Sequence, residues 1–169
     1  MPKIIRAFRF STPDTQGYPD KVRVYNGDTG NLEVFRSDRF RTNPNPYQPS
    51  TQKPWGEVYA QIAPTDPAGI PWECIQSPKH GVCIALAGLG PVATTAPDPN
   101  NHGQMEARDV EIHCGFSPTW PGSMACQTVH PQDWPVFIGH FFLGDKGVFI
   151  LTDETGGDPE GTVMQQPST

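Results

Sequence analysis

The alternation of apolar and polar residues predicts a chain built mostly of short β-strands. In the segment 21–36, KVRVYNGDTGNLEVFR, Val22 and Val24 and then Leu32 and Val34 recur at every second position, with NGDTG between the two runs. A period of two on both arms and a turn rich in asparagine and glycine are typical of a β-hairpin. We therefore expect a hairpin in this segment.

Other short apolar runs, bounded by glycine, proline or polar turns, predict further strands. They are WGEVYAQIA, ECIQ, GVCIALAG and GVFILTD, at residues 55–63, 73–76, 81–88 and 147–153. Segments interrupted by proline and glycine predict loops. These loops lie at residues 42–53, 64–72 and 90–104.

The segment ARDVEIHCG, residues 107–115, predicts a strand whose two faces differ in chemistry. Side chains alternate sides along a strand, so Val110 and Ile112 share one face while Glu111 and His113 share the other. We expect the aliphatic face to pack on the core and His113 to point into a cleft.

One helix is predicted shortly after this region, because four apolar residues recur at helical spacing. They are Trp134, Phe137, Ile138 and Phe141. Asp133 is the expected N-cap, and Pro135 falls in the first turn, where its missing N–H is not needed. Gly144 is expected to follow the helix end. Together these patterns predict a mainly β domain with one helix.

The composition indicates a folded but loop-rich domain. The chain has 169 residues with 20 prolines and 17 glycines, while four tryptophans and nine phenylalanines supply material for a core. This length suits one domain, which we assign to residues 1–155, followed by a flexible tail at 156–169. The net charge of −6 and the scatter of Lys and Arg outside RAFRF and FRSDRFR argue against nucleic acid as a partner.

The sequence predicts no membrane span, since no run of about 18 apolar residues is present. The N-terminal MPKIIRAFRFSTPD has only two adjacent aliphatic residues before the next arginine, too few for the apolar centre of a secretory signal. We therefore expect that a protein acting outside the cytoplasm would be delivered by another route.

The four cysteines leave two interpretations open. Cys74, Cys83, Cys114 and Cys126 allow two disulfides in three pairings, yet a chain of this length builds a core without crosslinks. The favoured interpretation is free thiols that pack as small hydrophobic side chains.

Residues with chemical potential concentrate in HCGFSPTWPGSMACQTVH, residues 113–130. A nucleophilic cysteine needs a base for its proton, donors for the developing oxyanion and access to substrate. His113 is the candidate base and Cys126 the candidate nucleophile. The small residues of PGSMAC allow a tight turn, in which the N–H groups of Met124, Ala125 and Cys126 are candidate oxyanion donors.

The stretch IHCGFSPTWPGSMACQTVHP resembles the catalytic signature of the L,D-transpeptidases, in which a strand-borne histidine is followed, after a loop, by Ser or Thr, two residues and the nucleophilic cysteine. Cell-wall-acting relatives from phages and secreted toxins are more similar still, with a Cys-Gln-Thr stretch before a tryptophan-bearing helix. The resemblance covers residues 80–142. It implies a β-sandwich or barrel with one short helix after the cysteine loop.

The resemblance also implies an activity. Cys126 would attack the carbonyl of the diamino acid in a tetrapeptide stem of peptidoglycan, with His113 as general base. The terminal D-amino acid would leave, and an amine or water would resolve the thioacyl-enzyme. Ser123 would supply the hydroxyl of the motif, and Gly115 and Gly122 would be turn residues. This chemistry needs no cofactor and no metal.

Three positions depart from the family pattern. Met124 and Ala125 stand where a His-Gly pair is usual, and Thr128 stands where Arg or Asn is expected. Alanine adopts a positive φ at a cost of about 1 kcal/mol relative to glycine, which alters the expected oxyanion turn. Without the arginine the site lacks a carboxylate anchor, so substrate binding is expected to differ from that of the housekeeping enzymes.

Substrate contacts are assigned to four residues around the motif: His80, Trp120, Gly122 and Thr128. Trp120 either covers the mouth of the cleft or anchors the loop to the core. The hydroxyls of Ser123 and Thr128 bond to neighbouring groups or to their own backbone. Glu111 and Asp109 share the strand face of His113 and either orient its imidazole or are solvated.

The order of the residues separates this pattern from papain-like peptidases, in which the cysteine precedes its histidine. His130 does follow Cys126, but it is expected to cap the helix or lie at the surface. His80 and His102 lie in turns, where each either lines the cleft or is solvated, and His140 is expected at the surface.

Two other functions stay open. The first is a zinc-dependent peptidoglycan hydrolase, because the chain has four side chains of types that bind zinc: His113, Cys114, Cys126 and His130. Adjacent strand residues point to opposite faces, however, and the short ligand spacings typical of zinc sites are missing. The second alternative is a non-enzymatic phage-particle or wall-binding protein that keeps the fold with a degenerate site.

The expected partners are peptidoglycan stem peptides, with an immunity protein, phage machinery or secretion machinery as further candidates. The expected place of action is the periplasm or cell wall, with delivery by phage lysis or tail proteins or by a secretion system. Synthesis and retention in the cytoplasm is the alternative.

Overall fold

Ten strands and one short helix make up the described structure, which is mainly β as the sequence predicted. The computed structural model describes residues 3–10, 18–26, 37–43, 61–98, 101–119 and 126–154. The elements are β1 (Lys3–Arg9), β2 (Asp20–Asn26), β3 (Ser37–Asn43), β4 (Ile70–Ser77), β5 (Gly81–Leu86), a 3-10 turn (Ala87–Leu89), β6 (Val92–Asp98), β7 (Gln104–Ala107), β8 (Glu111–Cys114), β9 (Gln127–Val129), α1 (Trp134–Ile138) and β10 (Lys146–Asp153).

Eight of the strands form a closed barrel in the order β1-β10-β4-β5-β8-β9-β3-β2, with β2 returning to pair with β1. Two neighbouring pairs are parallel, β1 with β10 and β8 with β9, and the other pairs are antiparallel. β6 and β7 form a separate two-stranded sheet. Because the barrel is closed, each of its eight strands has a paired neighbour on both sides.

The interior of the barrel is filled by the apolar residues that alternate along its strands. Ile84 of β5 and Ile112 of β8 are register partners, and both are fully buried in the main core. Val110 lies in the same core, so the aliphatic face predicted for this segment is confirmed. Side chains of this size contribute about 1.5–3 kcal/mol each when they are buried.

α1 lies where the sequence predicted a helix, but it is only five residues long. Phe137 is buried and contacts Phe40 of β3 edge to face, with ring centroids 5.4 Å apart. Phe141 reaches the core from beyond the helix end and contacts Trp72 of β4 at 5.1 Å. The predicted apolar stripe is therefore buried, although only part of it is helical.

Of the two predictions about the helix ends, one holds in part and one is wrong. Asp133 is the N-cap residue, as predicted, but its side chain makes no cap hydrogen bond. Its carboxylate instead accepts three hydrogen bonds of 2.9 Å from the backbone N–H and the guanidinium of Arg41 on β3, and these contacts hold the pKa of Asp133 below its usual value. The helix ends at Gly139, while Gly144, with φ +89°, lies in the turn before β10.

The prediction that residues 90–104 form a loop is also wrong. β6 lies inside this segment, and Gln104 opens β7, so the two strands pair as a hairpin. The strands β1, β3 and β9 were not predicted from the sequence. β1 pairs with β10 and β9 with β3, strands distant in sequence, which local pattern does not reveal.

Several predictions fall wholly or partly outside the described residues. β2 forms the first arm of the predicted hairpin, but Leu32 and Val34 lie outside the described ranges, and β2 pairs with β3 instead. The strand predicted at 55–63 is described only from residue 61, where Ile62 forms an isolated bridge with Thr94. The tail at 156–169 is likewise outside.

Among the described residues, no helix has the length and apolar character that crossing a membrane requires.

The close packing of β10 against β1 and β4 at Gly147 allows a test of how the barrel closes. A Cβ at Gly147 would lie 2.0 Å from the carbonyl oxygen of Lys3 and 2.7 Å from the indole of Trp72. Gly147→Ala is therefore expected to lower the free energy of unfolding by about 3 kcal/mol through overpacking. Gly88→Ala is the control, because its φ is +59° but nothing lies within 4 Å, so it should cost only about 1 kcal/mol. Urea unfolding measures both, and equal losses would contradict the packing role.

Candidate functional site

The parallel register of β8 and β9 brings the predicted base and nucleophile to one face of the barrel wall. Ile112 pairs with Gln127 and His113 with Thr128. Because register partners share a face, His113 and Thr128 lie on the outer face, opposite the interior Ile112. Cys126, two residues before Thr128, falls on the same outer face beside Glu111.

β5, the other neighbour of β8, adds to this face. Ala85 is the register partner of Glu111, and Cys83 shares its side of the sheet. The turn that joins β4 to β5 carries two further polar residues to the same place. We call the whole group the histidine–thiol cluster, and its members are Ser77, His80, Cys83, Glu111, His113 and Cys126.

The turn between β4 and β5 holds His80 in position. The hydroxyl of Ser77 accepts hydrogen bonds from the backbone N–H groups of Lys79 at 3.3 Å and His80 at 3.4 Å. Gly81 closes the turn with φ +66°, a conformation that glycine adopts without strain. His80 is thereby fixed at the edge of the cluster, with 30% of its side chain exposed.

Glu111 is the buried acceptor at the centre of the cluster, with 7% of its surface exposed. Its Oε2 accepts a hydrogen bond of 3.2 Å from Ser77 Oγ and is in close contact with Nδ1 of His80. Cys83 also hydrogen-bonds to Glu111. The interpretation that Glu111 orients His113 is therefore corrected, because the histidine that it holds is His80.

His113 is 5% exposed, and its two ring nitrogens have different roles. Nδ1 lies 2.9 Å from the carbonyl oxygen of Cys114. A carbonyl only accepts, so Nδ1 carries the proton and Nε2 of the neutral ring has a lone pair. The pKa of His113 is lowered to about 4, chiefly by burial and in smaller part by the charge of His80, while the Cys114 carbonyl and Glu111 oppose the shift. At neutral pH His113 is an uncharged base.

The rings of His80 and His113 are stacked. Their centroids are 3.8 Å apart and their planes differ by 5°. Since N–H groups lie in the ring plane, this geometry gives a face-to-face contact and no hydrogen bond between the two rings.

The sulfur of Cys126 is held by backbone groups. The N–H of Glu111 donates to Sγ at 3.3 Å, and the thiol lies 3.8 Å from the carbonyl oxygen of Asp109. Burial raises the pKa of Cys126 to about 11, the Glu111 N–H opposes this, and the charges of Glu111 and Asp109 reinforce it. The residue itself is partly exposed.

The pKa directions of His113 and Cys126 determine which forms of the two groups are present at neutral pH. The pKa of the thiol is raised and that of the imidazole is lowered, so the neutral thiol and the neutral imidazole are the stable forms at pH 7. The pair is suited to proton transfer during attack on a carbonyl, and not to a preformed thiolate–imidazolium pair.

The four cysteines, all within the described residues, are thiols and not disulfides. Cys74 and Cys83 are buried, and burial with the neighbouring Glu111 raises the pKa of Cys83 to about 12. Cys114 follows His113 on β8 and points to the opposite face. The interpretation of packed thiols fits Cys74 and Cys83.

Gly115 has a different role from the turn that was expected. Its N–H donates to the carbonyl of Val129, which extends the pairing of β8 with β9. A Cβ at this position would lie 1.8 Å from the hydroxyl oxygen of Tyr18. Tyr18 fills this space and donates to the carbonyl of Ser117 at 2.7 Å, which anchors the start of the loop after β8.

The other histidines lie apart from the cluster's hydrogen bonds. His130 is buried against Tyr18 and caps α1, since its carbonyl accepts from the N–H of Trp134. His102 is exposed in the turn between β6 and β7. The expectation that His140 lies at the surface is corrected, because it is partly buried against Phe40.

Thr128 is fully buried beside His113, and its Oγ1 has no hydrogen-bond partner among the described residues. The other predicted site residues lie outside the described ranges: Trp120, Gly122, Ser123, Met124 and Ala125. The oxyanion donors, the motif hydroxyl and the tryptophan contact therefore stay predictions.

A metal site finds no support in the described part of the chain. No group of three or more His, Cys, Asp or Glu side chains there is arranged to hold a metal ion. Within the predicted zinc set, His113 and Cys114 lie on opposite faces of β8.

Sequence reasoning missed Ser77 and Cys83 and gave Glu111 the wrong partner. The alternation of β5 indicates that Cys83 and Ala85 share a face, but nothing in the local pattern shows that β5 pairs with β8. The serine and the glycine at the two ends of SPKHG, residues 77–81, indicated the turn that holds His80.

The comparisons with known proteins gave no match: no family model, no characterised protein and no solved structure is similar to this chain.

Burial of neutral His113 predicts a loss of stability in acid. Between pH 6.5 and pH 4 the unfolded chain binds a proton at His113 that the folded chain does not, so stability falls as the pH falls through this window. His113→Asn should reduce the loss between pH 7 and 4.5 by about 2 kcal/mol. Urea unfolding at both pH values measures this, with exposed His102→Asn as control. If His113→Asn lost as much stability between pH 7 and pH 4.5 as the wild-type protein does, the burial argument would be contradicted.

The raised pKa of Cys126 predicts how the thiol reacts. Only the thiolate is nucleophilic, so its alkylation by iodoacetamide should rise roughly tenfold per pH unit from pH 7 to 9.5. Peptide mapping would follow Cys126, with buried Cys74 as the slow internal reference. A rate that is already level below pH 8 would instead indicate a thiolate paired with a protonated histidine.

Proposed function

We propose that the chain is a cysteine-dependent acyltransferase or hydrolase of L,D-transpeptidase type, acting on peptidoglycan stem peptides with Cys126 as nucleophile and His113 as general base. One observation carries the proposal: an uncharged, buried imidazole with an available lone pair lies on β8, and the sulfur of a partly exposed cysteine accepts the backbone N–H of Glu111, two residues earlier on the same strand.

The chemistry follows from the tautomer of His113. Nδ1–H is bonded to the carbonyl of Cys114, so Nε2 is the atom that takes the thiol proton as sulfur attacks the stem-peptide carbonyl. The same nitrogen then gives the proton to the leaving amino group of the terminal D-amino acid. The thioester on Cys126 is resolved by an amine, which forms a crosslink or exchanges the amino acid, or by water, which trims the stem.

The neutral resting pair sets the timing of the proton transfer. Because the thiol is the stable form at pH 7, attack and proton transfer occur together. The N–H of Glu111, which already contacts Sγ, stabilises negative charge on sulfur as it develops and again when the thioester breaks.

The proposed substrate class and place of action rest on the resemblance of the motif IHCGFSPTWPGSMACQTVH to the L,D-transpeptidases. This resemblance supports action in the periplasm or cell wall, after delivery by phage lysis or tail proteins or by a secretion system. An immunity protein is the corresponding partner when such an enzyme is used against competing bacteria. Backbone N–H groups of Met124, Ala125 and Cys126 would hold the oxyanion, and His80, Trp120, Gly122 and Thr128 would contact the stem.

A wall-binding or phage-particle protein without catalysis is the second candidate. The observation that favours it is the raised pKa of Cys126, which is opposite to the shift that activates most cysteine nucleophiles. Together with Met124 and Ala125 in the motif, this is the expected state of a site that has lost its chemistry.

The proposal predicts release of D-alanine from muropeptides that carry a tetrapeptide stem. Wild-type protein should release D-alanine and show a transient thioacyl adduct by intact mass, and Cys126→Ala should lower the release roughly a thousandfold or more. Cys114→Ala is the matched control, since this thiol faces the other side of β8, and it should keep its activity.

Three outcomes would contradict the proposal. Neither release nor adduct with wild-type protein would favour the wall-binding candidate, which a peptidoglycan sedimentation assay would then test. Undiminished release by Cys126→Ala would remove the thiol from the mechanism. Release that persists in this variant and stops with a metal chelator would point to the zinc alternative.

A further inference from the structure

A second histidine is built into the site with more contacts than the proposed reaction requires. His80 is the member of the histidine–thiol cluster that meets both Glu111 and His113. Its backbone is fixed through Ser77, its Nδ1 by Glu111 and its ring face by His113. A side chain that only lined a cleft would need none of these three contacts.

We propose that His80 is a positioning residue for the reaction of Cys126: held by Glu111 and stacked on His113, it fixes the plane of the His113 ring and takes the positive charge of the pair, so that His113 remains the neutral base. The inference rests on the proposed cysteine acyl transfer for its use, while the property of the pair can be measured without any activity.

The first step of the argument is orientation. The hydrogen bond from Nδ1 to the Cys114 carbonyl fixes one atom of the His113 ring but leaves rotation about that contact. The face-to-face stack with His80, at 3.8 Å and 5°, removes this rotation. The Nε2 lone pair then keeps one direction before the substrate binds, which lowers the entropic cost of reaching the reactive geometry.

The second step is charge. Two stacked imidazoles at this distance repel strongly if both are protonated, so the pair holds at most one positive charge. The two rings offer different surroundings for that charge. Nδ1 of His80 faces the Glu111 carboxyl group and the ring borders solvent, whereas Nδ1 of His113 faces only a neutral carbonyl in a buried site. A proton on Nδ1 of His80 therefore has a carboxylate as its direct partner, whereas one on Nδ1 of His113 has only a carbonyl.

The neighbouring groups support this assignment. Glu111 on β8 is the charged group that acts on the pair, and further titratable groups surround Glu111 and Cys126: Cys83 on β5, and Lys79 and Asp109 in the flanking turns. Cys83 is a neutral thiol, because burial raises its pKa to about 12. Glu111, which contacts His80 directly, is thus the group best placed to hold a proton on one ring in preference to the other.

Two substitutions separate the stack from the charge. His80→Phe keeps a flat ring over His113 and removes the charge, while His80→Gln keeps a donor for Glu111 and removes both ring and charge. His102→Phe, in the exposed turn between β6 and β7, is the matched control. The readouts are the NMR titration of the His113 ring and the pH profile of D-alanine release.

Both His80 variants should raise the midpoint of the His113 titration by roughly one pH unit, because the neighbouring charge is gone while the burial remains. The acid limb of the release profile should move by the same amount. At the pH optimum His80→Gln should have a kcat about tenfold below that of His80→Phe, since the ring that holds His113 is gone. KM should be the same in the two variants, because both lack the imidazole that is assigned to contact the stem. His102→Phe should change neither readout.

The outcomes distinguish this inference from the proposed function. If wild-type protein releases D-alanine but neither His80 variant moves the His113 midpoint, the positioning role is overturned and the proposed function stands. If wild-type protein releases nothing, the proposed function is overturned, and the titration alone decides the pair: a shifted midpoint supports control of His113 by His80, and an unshifted one removes it. The two variants together keep the test valid if one of them fails to fold.

Discussion

The parallel pairing of β8 with β9 is the constraint on which the site depends. Parallel neighbours need a crossover that returns the chain to the starting end, and residues 115–126 supply it here. Cys126 therefore arrives beside Glu111, where β8 begins, and within one register step of His113. The barrel interior takes the aliphatic face of β8, so the polar face has to lie on the outer side of the wall.

Burial then decides the chemistry of the groups brought together. Removal from water disfavours charge on both the imidazole of His113 and the thiol of Cys126, which moves their pKa values in opposite directions and away from ion-pair formation. Glu111 belongs to the same buried face and would be costly there without partners. It contacts Ser77, Cys83 and His80, while the hydrogen-bond partner of His113 is the carbonyl of Cys114.

A thiol that stays protonated at rest is compatible with both proposed roles, and the surroundings separate them. Backbone N–H groups that meet a developing charge act only during reaction, and the Glu111 N–H already lies 3.3 Å from the sulfur. A wall-binding protein has no need for a stacked and hydrogen-bonded histidine pair beside a thiol. The cost of burying Glu111 and the imidazole of His113 has a physical reason if these groups move protons.

The sequence by itself determined the mainly β character, the position of α1, the strand that carries His113 and the polarity of its two faces, because these follow from local periodicity. From the motif it also predicted His113 and Cys126 as a catalytic pair, which stays a prediction. Tertiary structure alone decided that β5 lies next to β8, and so that Ser77 and Cys83 join the cluster and that His80, predicted as a substrate contact, stacks on His113. It also gave Asp133 an ion pair with Arg41 in place of a helix cap. Such contacts join residues far apart in the chain, and pairing between distant strands leaves no signature in the spacing of either one.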